Sequence, residues 1–394
     1  MPELKDFTFP SSTGKNEIRA RICTPEGKPK AVVQIVHGIA EHIERYDRFM
    51  LFLAANGYVA VGNDYLGHGK SAASEKERGI FAESDGWTYV VNDMKALHDR
   101  IRKDYPDVPY VFFGHSMGSF LTRTYMIRFP DQYDAAILSG TGHQSPALIA
   151  GGLLFAELTT WVKGPYASGK ALNDMAFGSY CKKIENPRTE FDWLSRDPET
   201  VDRYIADPLC GFVCRCSLYR DMMKGLKFLT NQKNIDSMNK DAPVYFMSGA
   251  EDPVGDWSAG VEKAYQAFCD AGLKDVICVT TRYFGGTLLG TGGLVRAYTK
   301  AAQDAFAAAQ VVTFAECIDL TVSVPYPLYD QLSHWLAEQG IQVLSTDFAG
   351  DVAVEVRVLA TEADAVQAAI IELTHAAAEM LASEPSYQPL ATNE

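Results

Sequence analysis

Two short stretches of the chain hold residues that could carry out acyl transfer. Gly114-His115-Ser116-Met117-Gly118 sets a serine between glycines, after the apolar run Tyr110-Val-Phe-Phe113 and before a helical stretch. Such glycines permit the sharp strand-to-helix turn that exposes a nucleophilic hydroxyl. The Met117 N–H opens the helix and, with the Ile39 N–H that follows His37-Gly38, is placed to stabilise an oxyanion. Ser248-Gly-Ala-Glu-Asp252 follows the apolar run Pro243–Met247 and offers Asp252 as the acid that orients an imidazole. The chain order of this triad is Ser, then Asp or Glu, then His. The base should therefore follow Asp252, yet none of the eight histidines falls between His143 and His334. His115 diverges from the nucleophile as its neighbour in the chain and cannot serve as its base. His42, His68 and His143 fall on loops and read as structural or substrate-lining, His334 and His375 as surface or packing residues.

The elements that must position these residues form a regular series. Ala31–Val36, Tyr58–Val61, Tyr110–Phe113 and Ala135–Leu138 are apolar runs separated by helical patterns, among them 44–56 and 87–104. Apolar strands alternating with helices predict a mostly parallel sheet covered on both faces, an α/β fold. The active groups of such sheets lie at the strands' carboxyl ends. His37-Gly38, Gly67-His68-Gly69, Ser116 and Gly142-His143 all fall there. Residues 144–240 break the alternation and read as a cap inserted after the sixth strand. Pro243–Met247 resumes the sheet, followed by a helix at 258–271.

A third pattern begins near Val312. Ile318, Leu320, Val322 and Val324 alternate with polar residues, as in a half-buried strand. Leu328, Leu332, Trp335 and Leu336 share one helical face, and Gly340 ends that helix. Strands at 341–348 and 352–358 follow, then a helix capped by Thr361-Glu-Ala-Asp364 and running to about 382. The order βαββα predicts a small ferredoxin-like α+β domain. The domains expected are a sheet domain over 1–276 with its cap at about 144–240, a strand, Gly-rich loop and helix over 277–310, a ferredoxin-like domain over 311–384, and a loose tail over 385–394.

Composition removes several function classes. Of the net charge of −14, residues 277–394 carry −10, from 4 Lys+Arg against 14 Asp+Glu. That disfavours direct nucleic-acid binding, which needs clustered cations. The N-terminus lacks the basic-then-apolar pattern of a signal peptide, and no apolar run reaches transmembrane length. Eight cysteines in 394 residues do not suggest a disulfide scaffold. Cys210, Cys214 and Cys216 cluster without a second pair or a histidine at ligand spacing, so reduced thiols and no metal or cofactor are expected. The expected compartment is the cytoplasm. The Gly-rich run after Phe284 is not a phosphate-binding loop, since no Gly-Lys-Ser/Thr follows.

Residues 1–276 resemble the serine aminopeptidase S33 type of α/β-hydrolase, of the lysophospholipase and monoacylglycerol lipase branch. The motifs that carry the resemblance are His37-Gly-Ile-Ala-Glu-His42, Asp64-Tyr-Leu-Gly-His-Gly-Lys-Ser71, Gly114-His-Ser-Met-Gly118 and Ser248-Gly-Ala-Glu-Asp-Pro-Val254. The resemblance implies hydrolysis of fatty-acyl esters, a small lipid ester as substrate or ligand, and an apolar cap that admits the acyl chain. Leu154, Phe155 and Trp161 in the apolar segment 147–162 would line that path with His37, Gly38 and His143; the same segment also reads as an ordinary packing helix. From about Leu273, the run Val279-Thr-Thr-Arg-Tyr-Phe-Gly-Gly-Thr-Leu-Leu-Gly-Thr-Gly-Gly-Leu-Val-Arg-Ala-Tyr298 and the βαββα segment resemble the YigZ/IMPACT family. Its members are linked to translation, which implies a protein or ribosome partner for this part. The chain thus reads as a fusion.

Hydrolase relatives often have Tyr-Pro-Gly-Gly-Arg-His where this chain has Tyr283-Phe-Gly-Gly-Thr-Leu288, so Leu288 occupies the position of the base. Three functions compete: a lipid-ester hydrolase, a pseudo-hydrolase that holds acyl ligands, and a translation-associated module. Leu288→His is expected to raise hydrolysis of a p-nitrophenyl ester above that of the unaltered protein. No gain in initial rate would mean that the Gly-rich loop does not superpose on the relatives' histidine loop.

Overall fold

The β-branched and apolar runs pair through their backbones into one eight-stranded sheet, seen in a computed structural model that describes residues 2–281 and 312–391. Its strands are β1 (Leu4–Pro10), β2 (Glu17–Cys23), β3 (Ala31–Val36), β4 (Tyr58–Asn63), β5 (Tyr110–His115), β6 (Ala135–Ser139), β7 (Val244–Gly249) and β8 (Val276–Thr281). The spatial order is β1-β2-β4-β3-β5-β6-β7-β8. Parallel pairing holds from β4 through β3 to β8, while β1 and β2 form an antiparallel edge. Backbone contacts divide the chain into two units, Met1–Phe284 and Gly285–Glu394, so β8 belongs to the first.

Side-chain alternation puts a core on each face of the sheet. Along β3, Val32 and Val36 pack into the larger core, and Val33 and Ile35 into the smaller one. Helix α1 (Asp47–Ala55) closes the smaller core with Met50 and Ala54. Helices α2 (Gly86–Asp104) and α3 (Met117–Arg128) pack with the larger one, as does the helix that follows β7. Both faces are therefore covered, which is why β3 and β4 carry almost no polar residue.

The cap follows β6. Helix α4 (Pro146–Lys163) starts where Ser145 Oγ accepts from Leu148 N at 3.3 Å, with Pro146 in its first turn. Helices α5 (Lys170–Phe177), α6 (Pro198–Ala206), α7 (Cys216–Leu229) and α8 (Gln232–Ile235) complete it, before β7 and α9 (Ala259–Asp270) return to the sheet. Among the described residues no helix is long and apolar enough to cross a membrane.

The second unit holds β9 (Val312–Val324), α10 (Tyr326–Glu338), β10 (Gln342–Phe348), β11 (Val352–Leu359) and α11 (Ala363–Leu373). Two strands follow, β12 (Glu379–Ala382) and β13 (Ser386–Ala391). The antiparallel order β10-β11-β9-β12 is the ferredoxin-like arrangement. Leu320, Val322, Val324, Leu332, Leu336 and Val356 form a core of its own. Here the structure departs from the sequence reading. The last helix stops at Leu373 rather than near 382, because His375 and Ala376 adopt φ of 52° and 62°. Thr361 does not cap it: the N-cap is Glu362, with no side-chain bond. The segment taken as a loose tail from Pro385 pairs with the first half of β9.

Phe246 on β7 is fully buried and meets Phe268 of α9 edge-on at 5.1 Å. Phe246→Ala should therefore cost about 3–5 kcal/mol of unfolding free energy. Urea titration followed by tryptophan fluorescence reads this cost; a loss under about 1 kcal/mol would mean the β7–α9 contact does not hold the sheet's end.

Candidate active site

The turn at Ser116 is the most constrained point of the first unit. Ser116 adopts φ 52° and ψ −123° between β5 and α3. A β-carbon on Gly118 would sit 1.9 Å from the Val36 carbonyl oxygen, and one on Gly114 2.5 Å from Thr122 Oγ1. Gly118 is needed for the helix start to approach β3 so closely, and Gly114 for α3 to fold back on β5. Ser116 N donates to Ser139 O at 2.9 Å, and Ser119 donates to Ser116 O through its N–H at 2.8 Å and its hydroxyl at 2.6 Å.

Ser116 opens into a cavity of about 1220 Å³ that Gly38, Ile39, Glu41, His115, Gly140 and Asp252 also line. The amide N–H groups of Ile39 and Met117 have no hydrogen-bond partner among the described residues. Two free donors beside a half-buried serine that faces the cavity can receive the charge of a tetrahedral oxyanion.

Glu41 holds the Ile39 loop from beneath, a role the sequence reading did not assign. It is buried; its Oε1 accepts from Gly38 N at 2.5 Å and from Tyr46 OH at 2.8 Å, and its Oε2 pairs with Arg45. Burial pushes its pKa up, but Arg45, then His115 and His37, outweigh this and hold the carboxyl below its ordinary value. The only sign of it in the sequence was an acidic residue inside an otherwise buried His-Gly turn.

Asp252 lies in the turn after β7. Its Oδ1 accepts from Val254 N at 2.9 Å and its Oδ2 from Ser248 Oγ at 3.3 Å. Burial raises its pKa, against these bonds and the nearby His115. The Ser116 hydroxyl has no imidazole partner among the described residues. The rings of His37, His42, His68, His98 and His115 bond instead to Gly38 O, Asp207, Leu66 O, Asp99 and Ser139 Oγ. Leu288 lies outside the described residues.

Ser116, Met117, Ile39, Gly38 and Asp252 thus come together, whereas the other proposed substrate contacts do not join them. His37 is buried behind the loop, stacked on Tyr65 at 3.9 Å. His143 borders a separate cavity of about 390 Å³ with Lys263 and Gln232. Leu154, Phe155 and Trp161 point outward from α4, Trp161 with 83% exposure. The aromatic wall of the main cavity comes from Phe177, Tyr180, Trp193, Phe191 and Phe212 instead. Trp193 stacks parallel to Phe177 and edge-on to Tyr180.

Both units resemble known proteins. The family model described as serine aminopeptidase, S33, matches residues 27–276, and that of a domain of unknown function, DUF1949, matches 322–377. A monoacylglycerol lipase of Mycolicibacterium smegmatis is 32% identical over 193 residues, 48% of this chain and 59% of the lipase. The chain thus spans less than two thirds of that relative's length. A carboxyl esterase from Bacillus coagulans, solved with glycerol, is 27% identical and superposes with a TM-score of 0.66 over 77% of this chain and 97% of its own. The IMPACT family member YvyE of Bacillus subtilis is 31% identical over 121 residues, 31% of this chain and 56% of YvyE. The α/β-hydrolase fold, the small antiparallel second domain and the fusion of the two follow from these likenesses.

Burial depresses three histidines of the first unit: His68 to about 3, His37 and His143 to about 4. Each is neutral in the fold and takes up a proton more readily when unfolded. Their contribution to stability is thus present above the ordinary value of 6.5 and is lost as pH falls toward 4. Asp252, raised by burial, acts in the opposite sense and offsets part of this. The melting temperature should fall steeply between pH 6.5 and 4, and less steeply in His68→Asn. Equal slopes by calorimetry would remove His68 from the account.

Proposed function

The chain belongs, through residues 27–276, to the serine aminopeptidase S33 family, and from that premise we propose that its first unit is an acyl-ester site with little turnover. Ser116 is its nucleophile, Asp252 its acid, and Ile39 and Met117 its oxyanion donors. The observation that carries this reading is one cavity lined by a strained, half-buried serine and a half-buried carboxylate, with two unpartnered amide donors at the serine and no imidazole partner for its hydroxyl among the described residues.

The chemistry follows from that inventory. A lipid ester enters with its carbonyl over Ser116 and its oxygen toward the Ile39 and Met117 N–H groups. The acyl chain lies along the aromatic wall of Phe177, Tyr180 and Trp193. Attack requires the hydroxyl proton to leave as the Oγ–carbon bond forms, and among the described residues no imidazole is bonded to Ser116 to take it. Without its base such a triad loses on the order of 10⁶ in kcat, while binding and the oxyanion donors keep roughly 10³–10⁴ over water. The likeness to a monoacylglycerol lipase supports a monoacyl lipid as the ligand.

The absent base also favours the second reading, in which the first unit binds acyl ligands without turning them over. Its partner would then be reached through the second unit, whose acidity suits a protein or ribosomal protein rather than RNA. None of the eight cysteines is in a disulfide, which fits a cytoplasmic setting.

A fluorophosphonate probe tests the site directly. Labelling of Ser116 is expected to be slower by several orders of magnitude than in a complete triad. Rapid labelling abolished by Ser116→Ala would mean that a base acts on Ser116 after all.

A further inference from the structure

We propose that His42, Asp207 and Cys210 form a binding site for a zinc-type divalent cation that clamps the cap to the loop carrying the Ile39 oxyanion donor. His42 Nε2, an Asp207 carboxylate oxygen and Cys210 Sγ all lie within 4.8 Å of one another. His42 Nε2 stands 2.8 Å from Asp207 Oδ2. His42 and Cys210 are buried, with exposures of 5% and 8%, whereas the Asp207 side chain keeps 29%. The cluster is thus enclosed on two sides and open to solvent at the carboxylate, which gives an ion an entry path.

The surrounding bonds preset the ligands. Asp207 Oδ1 is occupied by Leu209 N at 2.9 Å, which leaves Oδ2 facing His42. Cys210 N donates to Asp207 O at 3.0 Å, closing a turn that brings the thiol back over the carboxylate. Arg78 holds the same turn through the Pro208 carbonyl at 3.1 Å. Gly211 N and Tyr204 OH both donate to Ala40 O, at 3.0 and 3.1 Å, so the turn is seated on the loop beside Ile39 and Glu41. Outer bonds of this kind orient metal ligands and sharpen affinity.

The donor set names the ion class. Imidazole nitrogen, thiolate and carboxylate together suit zinc, while magnesium and calcium take oxygen ligands. Bond lengths of about 2.0–2.2 Å to nitrogen or oxygen and about 2.3 Å to sulfur place tetrahedral ligands roughly 3.3–3.7 Å apart. The His42–Asp207 pair reaches that spacing by opening less than about 1 Å, and a water takes the fourth position. Binding forms the metal–sulfur bond and releases the thiol proton to solvent, with no change of oxidation state. Local spacing hid the site. Cys214 and Cys216 are buried elsewhere, Cys216 against the Ser168 carbonyl, and the histidine precedes Asp207 by 165 positions.

Cobalt(II) titration of the chelator-stripped full chain tests the proposal. One equivalent should produce an intense near-ultraviolet thiolate-to-cobalt band with the visible bands of four-coordination. Cys210→Ser should abolish the near-ultraviolet band and Cys216→Ser should leave it. His42→Ala should weaken binding more than the roughly 10–100-fold that loss of an outer-sphere partner costs. No thiolate band in the unaltered protein, or a band that survives in Cys210→Ser, would reduce the cluster to a hydrogen-bonded triad. Should a variant fail to fold, X-ray absorption of the zinc-loaded unaltered chain decides instead. One sulfur at about 2.3 Å with nitrogen or oxygen neighbours is expected, and none or several sulfurs overturns the assignment.

Discussion

The contact between Gly118 and the Val36 carbonyl sets the geometry of the whole first unit. With 1.9 Å between that oxygen and a would-be β-carbon, helix α3 starts almost against the end of β3. The chain can make that turn only by putting Ser116 at φ 52°, a conformation that costs about 1–3 kcal/mol and persists where the surroundings over-determine it. Three bonds do so here: Ser116 N to Ser139 O, and the two from Ser119 to Ser116 O. The first ties the turn to β6, so the strain is shared with the next strand. The ends of β3, β5, β6 and β7 then meet at one place, and the groups they carry line one cavity.

That convergence needs a loop held still as well as a turn held under strain. The Ile39 loop is fixed by a buried carboxylate, Glu41, which costs free energy to bury unless it is paired and hydrogen-bonded. Gly38 N, Tyr46 OH and Arg45 supply those partners. Gly38 has no freedom to be another residue, since a β-carbon there would lie 2.8 Å from Glu41 Oε1 and 3.4 Å from Ser116 Cβ. Glycine at 38, glutamate at 41 and the strained serine at 116 are one packing solution.

Legibility in the sequence followed the range of each interaction. The central strands were readable because an all-apolar run bounded by glycine and polar turns has few alternatives, and Ser116 and Asp252 because local turn chemistry marks them. The edge strands β1 and β2 were missed: Leu4–Pro10 is half exposed and defined by its partner rather than its pattern. The cap's direction was missed for a related reason. Helix α4 is apolar on more than one face, and periodicity does not tell which face turns toward the serine. Buried Ile149 and Ala156 lie inward and Trp161 outward, so the aromatic wall comes from residues of three later segments. Glu41 drew no notice because its partners, Arg45 and Tyr46, look like ordinary surface residues of a helix start.

The fusion separates what a fold requires from what a reaction requires. Strand β8 pairs with β7 in register from Val276 opposite Val244 to Thr281 opposite Gly249, and Ala250 N donates to Thr281 O at 2.7 Å. Those bonds run between backbone groups, which every residue but proline supplies, so a β-prone segment from an unrelated source can extend the sheet. The second unit is equally undemanding, since its valine- and leucine-rich core closes on itself. An imidazole is different: it must reach within about 3 Å of one hydroxyl, and no backbone can stand in for it. A join just after β7 and α9 therefore keeps the element that completes the sheet without any demand on side-chain identity. Backbone pairing over Val276–Thr281 is enough to extend the sheet, whereas the proposed turnover hangs on a side chain.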